Sequence, residues 1–176
     1  MKILAIPLLA CIVSLPFVVG CGTPAASNVD IVPVASIDKS LYTLTEEPEG
    51  ALGVIEARES AEDGAPVTVV GRIGGVVNPW VEGRAAFTML DASISVVAEG
   101  EDAEEGEICV GDCCATERVG CTTLVKVVDQ AGRLLSVDTR KLFEVNEEDM
   151  VVVKGIAKKD DSGNFSLIAN GIYVRR

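Results

Sequence analysis

Hydrophobic positions fall into two regimes after an apolar opening stretch from Ile3 to Val19. Between Glu46 and Glu62 the spacing of Leu52, Ile55 and Glu59, with Pro48 near the start and Asp63-Gly64 as a stop, predicts a helix that packs Leu52, Val54 or Ile55 on the rest of the domain. From Pro66 onward, short Val- and Ile-rich runs are broken by glycine and polar turns, which predicts strands. These are expected at Val67 to Val77, Ala85 to Asp91, Thr122 to Asp129, Met150 to Lys158 and Asn164 to Val174. Val137 to Phe143 lacks strict alternation and reads as a short helix.

Three of these strands carry a glycine inside an apolar run, at Gly71, Gly155 and Gly171. Glycine in mid-strand weakens a ladder, so its recurrence predicts sharp bends of the kind that barrel closure needs. Five short strands with a helix between the third and fourth is the order of an OB-fold. The expected class is therefore all-β, a five-stranded OB-fold-like Greek-key barrel with an N-terminal helix. The run Val69-Val70-Gly71-Arg72-Ile73-Gly74-Gly75, then Gly83-Arg84-Ala85-Ala86-Phe87 with Asp91 after it, and later Val152-Val153-Lys154-Gly155, resembles the OB-type domains of bacterial envelope lipoproteins of unassigned function. Those domains are labelled nucleic-acid-binding-like for their similarity to the anticodon-binding OB domain. The resemblance spans Val67 to Arg176 and implies a fold rather than a ligand, because OB barrels bind oligonucleotides, sugars, proteins and metals on one scaffold.

The opening stretch has the layout of an export signal: Lys2, an uncharged apolar run, and Val18-Val19-Gly20-Cys21 at its end. That ending resembles a lipobox, which makes Cys21 the expected lipidation site. The apolar run approaches the ~20 residues of a spanning helix, but Pro7 and Pro16 and the small residue before Cys21 favour cleavage. The expected organisation is a signal peptide over 1–20, a lipidated tether over 21–45, and a barrel domain with its N-terminal helix over 46–176, interrupted by a cysteine-containing insertion at 92–121. Gly22 stands where some bacteria place an inner-membrane retention aspartate, which favours the outer membrane.

Charge sharpens this picture. The chain carries a formal −12, and loss of Lys2 with the signal makes it −13. The acidity is concentrated before Thr122, whereas Thr122 to Arg176 holds nine Lys or Arg against eight Asp or Glu. A modest basic face is therefore available in the C-terminal half, and a solvated strand edge is the plainer reading of the same residues.

The insertion bears six acids among the nine residues Glu99 to Glu107, then Cys109, Cys113, Cys114 and Cys121. In an exported protein four cysteines predict two disulfides. The alternative is a metal-binding envelope protein, with four thiolates around zinc or copper(I), although the spacing lacks paired C-x2-C knuckles. With no histidine in the chain, imidazole-activated nucleophiles and histidine metal sites are excluded. No phosphate-cradling Gly-Lys-Ser or Gly-Lys-Thr motif is present.

These observations predict a non-enzymatic binding or interaction module with no cofactor. It is held to the cell envelope by lipid and meets another envelope protein or a cell-wall polymer. The expected face comprises Trp80, Arg84, Phe87 and Lys126; Phe87 is equally a core candidate, and Trp80 a plug for the barrel mouth. A single-stranded nucleic-acid binder is the further alternative, disfavoured by the acidity.

Overall fold

The structure is a computed structural model that describes residues 37–98 and 103–176, without the side chain of Cys113. The expected signal peptide, Cys21 and most of the tether lie outside the described residues. Among those described, no helix is long and apolar enough to cross a membrane.

Five strands close into a barrel: β1 (Pro66–Ile73), β2 (Ala86–Asp91), β5 (Thr122–Val127), β6 (Met150–Lys159) and β7 (Phe165–Val174). Their order around the barrel is β1-β2-β5-β7-β6, with β5 and β7 parallel and every other pair antiparallel. Between β5 and β6 stands a short helix, α3 (Thr139–Phe143), started by Asp138, whose carboxylate accepts from the Arg140 N–H. This is an all-β, OB-like barrel with small helices.

The alternation in β5 is complete: Thr123, Val125 and Val127 point inward, while Thr122, Leu124 and Lys126 are half-buried on the outer face. In β2 it fails, since Ala86, Leu90 and Asp91 are buried along with Phe87 and Met89. Leu90 faces outward but is covered by the insertion, where it packs with Ile108 and Cys121 in a second small cluster. The main core joins Val69, Phe87, Met89, Val125, Val153 and Leu167 inside the barrel with Val54 and Ala57 and with Leu142 and Phe143 of α3.

The flagged glycines mark close approaches. A Cβ at Gly155 would lie 2.2 Å from the Ile168 carbonyl oxygen, one at Gly71 2.5 Å from that of Leu90, and one at Gly171 2.8 Å from Leu44. At Gly155 the ladder also slips register between β6 and β7, so this residue is where the long strand bends.

Three expectations shift. The helix predicted over Glu46 to Glu62 forms only as α1 (Val54–Ser60). Its first half is drawn into the barrel wall: the Leu52 N–H donates to the Thr68 carbonyl and the Leu52 carbonyl accepts from the Val70 N–H, an isolated bridge to β1. The first strand stops at Ile73 rather than Val77 because Gly74 and Gly75 turn the chain at φ +148° and +83°. The insertion is structured, with β3 (Ser95–Val97) and β4 (Glu107–Cys109) as a parallel pair and α2 (Ala115–Cys121) leading into β5.

Candidate functional site

Two depressions, one over β2 and β5 and the other over β5, β7 and the end of β6, share Leu124, Asn164 and Phe165 as walls and form one groove across the outer face of the barrel. One, of about 250 Å³, is bounded by Val76 from the β1–β2 loop, Thr88 from β2, Val119 from α2 and Arg58 from α1. The other, of about 420 Å³, is lined by Lys126, Lys158 and Lys159 beside a single carboxylate, Asp160. Each wall has a local cause. Outward alternation places Leu124 and Lys126 on the floor, and the parallel pairing of β5 to β7 brings Ser166 level with Leu124, with Lys158 next across β6. Gly75 lets the first loop lie against the groove edge, for a Cβ there would meet Thr122 at 2.8 Å and Leu90 at 3.2 Å.

Arg58 anchors one end. Its guanidinium donates to the Thr122 carbonyl at 2.6 Å and lies 5.5 Å from the centre of the Phe165 ring. Burial draws its pKa below the usual arginine value, and its Nε is buried without a hydrogen-bond partner in the structure. At the other end Lys158 reaches Asp63 at 3.7 Å, while Lys126 makes no ion pair among the described residues.

Of the residues expected to form a binding face, Lys126 lies in this groove. Arg84 is exposed just before β2 and hydrogen-bonds Ser136. Trp80, 8% exposed, and Phe87, 0% exposed, belong to the core, their ring centres 6.3 Å apart. The Trp80 indole N–H donates to Glu147 at 3.3 Å, and Arg140 sits 5.5 Å over its ring, held there by Asp138 and Glu82. The indole is therefore part of the core rather than an exposed contact ring. Lys158 and Lys159 belong to the C-terminal basic bias, but nothing in the sequence marks them or Arg58 as groove residues.

The expected two disulfides are not supported among the described side chains, which leave out that of Cys113. Among the described cysteines no pair lies at bonding distance: the sulfurs of Cys109 and Cys114 are 2.8 Å apart, against about 2.05 Å for a bond. Cys121 is buried at the end of α2, packed with Leu90 and Ile108. Burial pushes its thiol pKa up, so it is a neutral, inert group at ordinary pH. The peptide around Cys109 is instead held by Arg118, whose guanidinium donates to the carbonyls of Cys109 at 3.0 Å and Gly111 at 2.9 Å. Among the described residues, no group of three or more Cys, Asp or Glu could hold a metal ion.

No family model matches the chain. A search of curated proteins also gave no match. Among solved structures, the chain is similar to one described as "OBody AM1L10 bound to hen egg-white lysozyme", at 15% identity and a TM-score of 0.40, covering 75% of this chain and 99% of that one.

Proposed function

We propose that this chain is a lipid-anchored protein of the cell envelope whose OB-like barrel is a non-catalytic binding module. Its groove over β5 and β7 takes an anionic stretch of another envelope protein or of a cell-wall polymer. The observation that carries the reading is a charge inversion: on a chain of formal charge −12, the groove gathers Lys126, Lys158 and Lys159 around one carboxylate. A cationic groove on an acidic body attracts anions locally while the body repels them elsewhere, which orients a ligand before contact. Apolar Val76, Val119 and Leu124 beside the lysines offer contact area for a ligand's uncharged parts.

A protein or wall polymer is favoured over single-stranded nucleic acid because base stacking needs an exposed ring. The ring in the groove, Phe165, is 5% exposed and lies under Arg58. The lipid anchor rests on Val18-Val19-Gly20-Cys21 alone. Labelled palmitate should enter the chain in growing cells and be lost in Cys21→Ser; incorporation that survives this substitution removes the anchor from the proposal. For the groove, co-sedimentation with purified wall polymer and with solubilised envelope proteins should drop about tenfold at low salt in Lys126→Glu/Lys159→Glu. Undiminished binding by that variant contradicts the assignment.

A further inference from the structure

A second concavity lies outside the barrel, where α1 meets the insertion. It has a volume of about 430 Å³, inside the ~300–1,000 Å³ range of small-ligand sites. Ile55 from α1, Ile94 from the turn before β3, Ile108 from β4 and Cys121 from α2 form its floor. Its rim carries Glu59, Glu107 and Glu117, one from each of α1, β4 and α2. The cation in its lining, Arg58, spends its head on the Thr122 carbonyl and the Phe165 ring, on the groove side. A hydrocarbon floor under a negative rim is what remains.

Two features choose among ligands. The floor offers no hydrogen-bonding side chain beyond the thiol of Cys121, which burial keeps neutral, so the part of a ligand lying on it must be hydrocarbon. The carboxylates do not converge: among the described residues no three metal-ligating side chains could hold one ion. Separated negative charges over an apolar floor match separated positive charges joined by methylenes, and they match neither a divalent cation nor an anion.

We propose that this pocket binds a linear aliphatic polyamine, its methylene chain on Ile55, Ile94 and Ile108 and its ammonium groups on Glu59, Glu107 and Glu117. This site belongs to the insertion and is independent of the groove reading. The test is calorimetric titration of the full-length chain in detergent with spermidine, repeated in raised salt. The expected result is one-to-one binding that weakens with salt and falls at least about tenfold in Glu107→Gln/Glu117→Gln. Glutamine keeps the acceptor that Glu107 offers to the Glu104 N–H, and the thermal midpoint of the variant reports that the fold is intact. Glu49→Gln/Asp161→Asn removes the same charge from exposed positions outside the pocket and should leave affinity within about twofold. Ethylenediamine, too short to cross the floor, should bind much more weakly. Equal losses in both double variants, ethylenediamine binding as tightly as spermidine, or no binding of spermidine at low salt would each overturn the proposal.

Discussion

Asp91 ends β2 with one carboxylate serving two chain segments. Its Oδ2 accepts from the Ile55 N–H at 2.9 Å, capping α1, and its Oδ1 accepts from the Ser93 N–H and hydroxyl at 2.9 and 2.6 Å, setting the turn into the insertion. Burial pushes its pKa up, but the bonds from Ser93 and Ile55 outweigh that and the net shift is downward. A carboxylate with a lowered folded pKa stabilises the fold above its unfolded value of about 3.9, and that stability is lost as pH falls through the folded pKa. Asp91→Asn should therefore flatten the acid limb of a stability–pH profile below about pH 4, and Asp91→Ala should cost about 1–2 kcal/mol at neutral pH in denaturant melts. An acid limb identical to the parent's would show that Asp91 does not carry it. Gly155→Ala should cost more than about 2 kcal/mol, since a methyl group would enter the Ile168 backbone. The sequence displayed that glycine as out of place in a strand. It could not display the cap, because Asp91 and Ile55 are separated by 36 positions and no local pattern links them.

At the scale of elements, strands were legible where one face is buried and the other open, as in β5, which starts at the expected Thr122 and alternates to its end at Val127, two residues short of Asp129. Reading β2 was harder, because Leu90 has a second apolar neighbour on its outer side, supplied by the insertion. The helix over Glu46 to Glu62 was overextended for a related reason: Leu52 is apolar at helical spacing, yet it bonds to β1 as an extended residue, and only tertiary contact reveals that. The insertion was legible as a cysteine-rich loop, but spacing in sequence places thiols near each other without orienting them, and among the described cysteines no pair of sulfurs lies at bonding distance. Arg118 and the packing of Cys121 help to hold the segment. Arg118→Ala should loosen the insertion, seen as faster amide exchange over β4, with the barrel strands unaffected.

For the whole molecule, charge does what no single residue does. The acidic body and the C-terminal basic bias were both readable from counting, but their meeting in one groove requires the barrel order, which sets Leu124 on β5 and Lys158 on β6 to either side of Ser166 on β7, with Lys126 the next outward residue along β5. Trp80 was expected on the binding face, and the fold buries it in the core beside Phe87, so aromatic identity alone was a poor guide to the site. The central claim is that the groove over β5 and β7 is the surface that engages the envelope. Its most direct test is photo-crosslinking in intact cells, with a photoreactive residue placed at Leu124 in the groove, at Asn170 on another barrel face, and at Leu124 again in the Lys126→Glu/Lys159→Glu background. The account predicts a discrete adduct from Leu124, none from Asn170, and loss of the first in the charge-reversed background. Adducts from Asn170 alone, or from Leu124 regardless of the lysines, would contradict it.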